Sequence, residues 1–253
     1  MPSATSHSTR YCDQSSRRRR TTRHLFLRRE CVLQRSDIIY LRSRRHYSLS
    51  CMHLGSFMKQ ATVLFSGGID STSTAILLKS SGLAVRGLFV DYGQASRDME
   101  RTSVARLKDL LGITIDEIHI KSPSTHGVGE LTGRNALLIF SAVLLGNCAP
   151  GGIAIGIHSG TPYYDCSPDF AERIDALVQQ CSGGKLSILT PFVNWSKNDV
   201  YSYFLSQRIP LHETYSCEAG TSPPCGLCNS CLDRKRLECS LKNASSDSAT
   251  RQS

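Results

Sequence analysis

The chain of 253 residues lacks an apolar run of about 18 residues, the length a helix needs to cross a bilayer. It has no internal repeat, which excludes solenoids and propellers. It has no Gly-x-x-x-x-Gly-Lys-Ser/Thr string, which excludes a Walker-type phosphate loop. Most of it also lacks an excess of either charge. The whole net charge of +9 lies within residues 1–57, and residues 58–253 carry basic and acidic side chains in equal number. The body therefore offers no stripe for a phosphate backbone, and a nucleic-acid function would rest on the first 57 residues alone. What is present, 40% apolar residues, is enough for a core.

Residues 1–57 do not read as a folded domain. Arg17–Arg20 form a run, eight further arginines follow or precede it amid Ser and Thr, and the apolar clusters Leu25–Leu27 and Ile38–Leu41 are too short for a core. Three readings compete: an upstream start with the true initiator at Met58 or Met52, a disordered basic extension, or an Arg-rich, acid-poor transit peptide. No secretory h-region is present.

From Ala61 onward strands and helices alternate. Short apolar runs bounded by glycine read as buried strands at Ala61–Phe65, Val85–Val90, Thr114–Ile120, Gly152–Ile157 and Leu186–Leu189. Helical patterns fall at Ser71–Ser81, Arg97–Leu111, Arg134–Cys148, Phe170–Cys181 and Lys197–Gln207. This order predicts an α/β fold: a parallel twisted sheet with helices on both faces, Rossmann-like. Ligands of such sheets bind beyond the carboxyl ends of the strands, which draws attention to Ser66–Thr72, Asp91–Gln94 and Gly156–Asp165. The polar Ser122–Thr132 stretch is expected as a loop, and two readings of it compete: a lid that closes over the site, or a simple disordered connection.

The string Ser66-Gly67-Gly68-Ile69-Asp70-Ser71-Thr72 sits between a strand and a helix. Glycines let backbone N–H groups approach phosphate oxygens, and a helix N-terminus adds partial positive charge. Ser71 and Thr72 add hydroxyls, and Asp70 sits where a carboxylate could hold Mg²⁺ or orient the loop. A plain glycine turn with Asp/Ser capping would explain a lone Gly-Gly; the seven-residue string goes further.

Near the other end, Cys217, Cys225, Cys228 and Cys231 read C-x7-C-x2-C-x2-C. Four thiolates can surround Zn²⁺ tetrahedrally, leaving no open position for chemistry, so the metal is expected to be structural. A four-cysteine iron–sulfur cluster remains an alternative. Disulfides would call for an oxidising compartment, which nothing in the sequence indicates.

The first string resembles the PP-loop of the N-type ATP pyrophosphatases. With the cysteine cluster, the combination resembles the 7-cyano-7-deazaguanine synthase family. Other stretches carry the same likeness: Asp91-Tyr92-Gly93-Gln94, Gly133-Arg134-Asn135, Asp165-Cys166 followed by Pro168 and Phe170, and Cys225-Gly226-x-Cys228-x2-Cys231-x2-Arg234. The likeness spans roughly Lys59–Glu238. It departs from the family's Tyr-Pro-Asp-Cys-Arg string, where this chain has Tyr163-Tyr164-Asp165-Cys166-Ser167, and an acidic residue before that string is missing.

The resemblance implies an ATP-dependent ligase of queuosine biosynthesis that turns a deazapurine carboxylic acid and ammonia into a nitrile through two adenylates. It implies ATP binding by Ser66, Gly67, Gly68, Ile69, Asp70, Ser71 and Thr72. Catalytic roles fall to Asp70, Ser71, Arg134 and Asn135, and acid recognition to Gln94 and Asp165. Cys217, Cys225, Cys228 and Cys231 would hold structural Zn²⁺, and Mg²⁺ would accompany ATP. A cytoplasmic enzyme is implied, without direct nucleic-acid or membrane contact and with a tendency to homodimers. The expected divisions are residues 1–57 as extension or misplaced start, 58–212 as the PP-loop domain, 213–240 as the zinc segment and 241–253 as a disordered tail. Two other readings are a paralogue that adenylates a different carboxylate, suggested by the altered Gly160–Ser167 segment, and a PP-loop enzyme that modifies tRNA.

Overall fold

The computed structural model describes residues 58–121, 126 and 128–249, with side chains as far as Cys239. The readings of residues 1–57, and the part of the expected lid at 122–125 and 127, lie outside the described residues.

Five strands form one sheet in the order β3-β2-β1-β4-β5: β1 (Gln60–Leu64), β2 (Ala84–Asp91), β3 (Ile115–His119), β4 (Gly151–Ala154) and β5 (Leu186–Leu189). Every pairing is parallel, with Val63 opposite Gly87 on one side and Ala154 on the other. The order reverses between β1 and β4, so the carboxyl ends of these strands flank the switch point where doubly wound sheets hold ligands.

Side chains alternate across the sheet. Leu64, Leu88, Val90 and Ile153 point to one face, where they pack with Ile139 of α3 (Arg134–Leu145) and with Phe170, Ile174 and Val178 of α4 (Pro168–Cys181). Ala61, Val63, Phe65 and Phe89 point to the other, against Ala75 and Leu78 of α1 (Ile69–Ser80) and Val104 and Leu107 of α2 (Arg97–Leu111). The expected sandwich of helices on both faces is present. A further helix, α5 (Lys197–Ser206), opens with a reciprocal capping box between Ser196 and Asp199, which satisfies backbone donors at its first turn.

Boundaries differ from the sequence reading for local reasons. α1 begins at Ile69, two residues early, because Gly68 takes the extended N-cap position. α3 stops at Leu145, where Gly146 caps it. The expected division at residue 240 falls inside α6 (Asn229–Ala249), so the tail expected to be disordered from residue 241 starts as helix. No glycine or proline interrupts residues 229–249, and nothing there stops a helix once begun. Among the described residues, no helix is long and apolar enough to cross a membrane.

Candidate active site

A cavity of about 320 Å³ opens at the switch point. Its floor is the turn from β1 into α1. Gly67 has φ +74, which favours glycine, and a Cβ there would meet Ser103 Oγ at 2.9 Å and Val104 N at 3.0 Å. The Gly67 carbonyl accepts the Ser103 hydroxyl at 2.8 Å and the Tyr215 N–H at 3.1 Å, so α2 and the C-terminal segment both clamp the turn. Gly68 caps α1 without any side-chain hydrogen bond, leaving first-turn N–H groups for an anion. Ser66, Gly68, Ile69, Asp70 and Ser71 line the cavity. Ser71 Oγ donates to the Gly68 carbonyl at 3.2 Å and lies 3.3 Å from Ser66 Oγ. Thr72 differs from the expectation: it is fully buried, its hydroxyl has no partner, and it does not line the cavity. One residue along a helix is a turn of about 100°, which carries Thr72 away from the face that Ser71 occupies.

The wall beyond β2 is a closed polar network. Gln94 lines the cavity, but its amide is committed: Oε1 accepts the Tyr92 N–H at 2.9 Å, and Nε2 donates to the Val90 carbonyl at 3.1 Å and to Glu100 Oε2 at 3.0 Å. Ser96 Oγ donates to the other Glu100 oxygen at 2.8 Å. Burial pushes the Glu100 carboxyl up, against the pull of Gln94, Ser96 and the nearby Arg134. Burial raises the Tyr92 hydroxyl as well, with Arg134 beside it. Asp91 is turned outward to Arg101 at 2.9 Å. Its partial burial is outweighed by the Gly93 N–H and Arg101, which hold its carboxyl below the usual range.

The third wall follows β4. His158 is buried, and its Nδ1 accepts the Gly160 N–H at 2.9 Å. Burial lowers its pKa, so the ring is neutral near pH 7 and the proton sits on Nε2, 3.8 Å from the Asp70 carboxylate. Asn135 is buried at the start of α3. Its Nδ2 donates to the Asp165 carbonyl at 3.0 Å, its N–H to the Asp165 carboxylate at 3.3 Å, and its Oδ1 accepts Arg134 Nε at 3.3 Å. Arg134 and Asn135 line the cavity, as does Cys166, whereas Asp165 does not. The cap of α4 is Ser167, whose Oγ accepts the Phe170 N–H at 3.1 Å. The departures from the family string also lie off the cavity. Ser167 is that cap, and Tyr164, 58% exposed, donates its hydroxyl to Asp169 at 2.8 Å.

The four cysteines converge. The sulfurs of Cys217, Cys225, Cys228 and Cys231 all lie within 4.8 Å of one another. A tetrahedral centre with metal–sulfur bonds near 2.3 Å needs sulfurs about 3.8 Å apart, so the set fits a closed metal site. Backbone N–H groups already point at sulfur: Cys225 N lies 3.3 Å from Cys217 Sγ, and Leu227 N and Cys228 N lie 3.5 and 3.4 Å from Cys225 Sγ. Burial opposes ionisation of Cys217, yet the Cys225 N–H and thiol bring it down to about 5. Burial and the neighbouring thiols push Cys231 up to about 12. Arg234, just beyond the cluster, donates instead to the Leu211 and Thr214 carbonyls at 2.7 and 3.2 Å and ties α6 to the preceding segment.

Sequence reasoning missed Glu100, His158, Lys197 and Glu218, all of which line the cavity. Glu100 has a signal in hindsight: it is an acid on the helix that follows the Asp91–Gln94 turn. His158 lies inside a segment already singled out. Glu218 carries no sequence signal beyond standing next to Cys217.

The family model described as "Queuosine biosynthesis protein QueC" matches residues 60–136 and 130–238. The 7-cyano-7-deazaguanine synthase of Campylobacter curvus (strain 525.92) is 31% identical over 206 residues, covering 71% of this chain and 92% of that protein. The one from Prochlorococcus marinus (strain NATL1A) is 30% identical over 213 residues, covering 71% and 93%. Among solved structures, an NH3-dependent NAD synthetase from Campylobacter jejuni aligns at 17% identity and a TM-score of 0.39, over 62% of this chain and 68% of that one. That last likeness is too loose to add to the fold described above.

Proposed function

This chain belongs to the queuosine biosynthesis protein QueC family, and from that premise we propose that it joins ammonia to 7-carboxy-7-deazaguanine with two ATP, giving 7-cyano-7-deazaguanine. The observation that carries the reading is one cavity shared by the Ser66–Ser71 turn and the Arg134–Asn135 helix start. The first can cradle pyrophosphate through its uncapped N–H groups. The second sets a guanidinium and a helix N-terminus where an acid would lie.

The chemistry follows from leaving groups. The carboxylate oxygen attacks the α-phosphorus of ATP and pyrophosphate departs. Ammonia then displaces AMP, loses a proton and leaves the amide. The amide oxygen attacks the α-phosphorus of a second ATP, expelling pyrophosphate, and loss of AMP with the remaining N–H protons gives the nitrile. Both activations need the same cradle, so one turn serves twice. Ser71 and the first-turn N–H groups bind the departing pyrophosphate, and Arg134 balances charge on the acid or its adenylate. Gln94 holds Glu100 and the β2 turn in place rather than presenting its amide to the acid. Asp70, whose carboxylate lies 3.8 Å from His158 Nε2, is the carboxylate that would hold Mg²⁺ with ATP; the cation would neutralise charge on the phosphates. Cys217, Cys225, Cys228 and Cys231 would hold Zn²⁺, whose four thiolates make it a structural clamp.

Tyr164 and Ser167 stand outside the cavity, which supports the family's acid, whereas His158, Thr161 and Tyr163, in the stretch that lacks the family's acidic residue, line it. The deciding experiment uses protein beginning at Met58, mixed with 7-carboxy-7-deazaguanine, ATP, Mg²⁺ and ammonium. Nitrile and AMP seen by mass spectrometry are the expected products. Folded, metal-loaded protein that forms neither would turn the reading to another acid. A homodimer belongs to the same reading and is checked by sedimentation velocity.

A further inference from the structure

Glu218 connects two parts of the molecule that are 89 residues apart. Its Oε1 accepts the Ser230 N–H at 3.1 Å and the Ser230 hydroxyl at 2.7 Å. Its Oε2 accepts the Gly129 N–H at 3.0 Å. Glu218 follows Cys217 and Ser230 precedes Cys231, so the first pair of bonds braces the cysteine segment across its own loop. The third bond leaves that segment and reaches the cavity wall, where Gly129 and Leu131 stand. The same wall is anchored on its other side by His126. The His126 N–H donates to the Gly93 carbonyl at 2.9 Å, and its carbonyl accepts the Ala95 N–H at 3.0 Å.

The wall therefore hangs between the turn at Gly93–Ala95 and one carboxylate of the cysteine segment. Gly129 has φ +108, and a Cβ there would meet nothing within 4 Å. Its N–H bond to Glu218 is the tertiary hydrogen bond that ties it to the cysteine segment. Bonds from N–H groups to a carboxylate are about twice as strong as neutral ones, and two oxygens let one side chain serve both sides.

We propose that Glu218 is a positioning residue that sets the cavity wall at residues 128–131 from the four-cysteine segment, so that the condition of the metal site reaches the acid-binding cavity. This rests on the ligase reading. The cysteine cluster then has two grips on the site: the Tyr215 N–H on the Gly67 carbonyl beneath the phosphate turn, and Glu218 on the opposite wall.

The test compares wild type with Glu218→Ala and Glu218→Gln. Three quantities are read: metal content, amide hydrogen exchange of the 128–131 stretch, and kcat and KM for 7-carboxy-7-deazaguanine. Glu218→Ala at wild-type metal content is expected to speed exchange at 128–131 and to raise KM about tenfold, with kcat changed by less than about threefold. Glu218→Gln, which keeps one accepting oxygen, falls between. Metal-loaded Glu218→Ala with unchanged KM and unchanged exchange would overturn the proposal. Should Glu218→Ala not fold, wild type stripped with a chelator gives the same reading. Exchange at 128–131 is expected to rise while β1 stays protected, and an unmoved 128–131 overturns it. If wild type turns over no deazapurine acid, the ligase reading fails, whereas the exchange result still decides what Glu218 does.

Discussion

Asn135 and Asp165, thirty residues apart, hold each other through two bonds, the Asn135 side-chain amide on the Asp165 carbonyl at 3.0 Å and the Asn135 N–H on the Asp165 carboxylate at 3.3 Å. The pair fastens the start of α3 to the segment leaving β4, and so sets where Arg134 emerges. Asn135 is buried with its whole amide engaged, so its loss strands buried partners. Asn135→Ala should cost about 1–3 kcal/mol of stability. Asp165→Asn keeps the backbone carbonyl and should cost less, about 1 kcal/mol. The double variant should cost about the sum, because the first substitution removes a bond to a backbone carbonyl and the second changes the acceptor of a backbone N–H. Urea unfolding of the four proteins measures this; an Asn135→Ala protein as stable as wild type would mean that its side-chain bond contributes nothing.

Glu100 gives a pH-dependent prediction. Burial raises its pKa in the folded chain, so the folded state binds this proton more tightly than the unfolded state does. Its contribution is therefore most favourable below the ordinary carboxylate pKa. It declines as pH rises from that value to the raised one, and it is constant above. Glu100→Gln removes the titration while keeping an acceptor for Ser96. The stability of Glu100→Gln relative to wild type should rise across that window and then level off. Denaturation midpoints from pH 4 to 8 give the curve, and a difference that falls with pH would reverse the assignment.

The alternation of strands and helices was legible because buried parallel strands are short, apolar and bounded by glycine, and Gly112 marks the end of α2, whereas Gly68 and Gly146, which cap α1 and α3, were passed over. The site was legible as a set of segments, less so as a set of contacts. Gln94 stands in a recognisable string, but only the fold reveals that its amide is spent on Val90, Tyr92 and Glu100. Thr72 belongs to the phosphate string, but helical phase turns it into the core. Asp165 neighbours the cavity through its backbone and Asn135, with Cys166 taking the place on the wall. Glu218 could not be found from sequence, since its partners Gly129 and Ser230 are fixed by tertiary packing. The run of helix past residue 240 escaped because polar residues after a motif look like a tail.

Two glycines separate conformational strain from steric exclusion. Gly67 and Gly82 both have positive φ, +74 and +87, yet a Cβ at Gly82 meets nothing within 4 Å, whereas one at Gly67 meets the Ser103 side chain and the Val104 backbone. Gly82→Ala should cost about 1 kcal/mol, the strain of a left-handed alanine. Gly67→Ala adds an overpacked contact and should cost about 2–5 kcal/mol. It should also abolish ATP binding, because α2 or the phosphate turn must move. Thermal melts with and without ATP separate the two. A Gly67→Ala protein that melts like Gly82→Ala and keeps its ATP shift would show that the turn tolerates displacement.

Cys228 tests what the metal does. It is buried, and its neighbours already direct N–H groups at sulfur, so the segment is shaped for thiolates. Replacing one of four ligands with serine should release the metal, because a hydroxyl is a poor ligand for a site built from thiolates. The remaining thiols then lose the cation that would join Tyr215, Glu218 and α6 into one block. Cys228→Ser should therefore melt well below wild type and be little changed by a chelator, whereas wild type loses stability once stripped. Four thiolates around one ion leave no position for substrate, so kcat per folded molecule should stay within about threefold of wild type. KM should rise as the wall at Gly129 loosens. Activity normalised to the folded fraction, read beside the metal content, decides the matter. A Cys228→Ser protein as stable as wild type but inactive would place the metal in the chemistry itself.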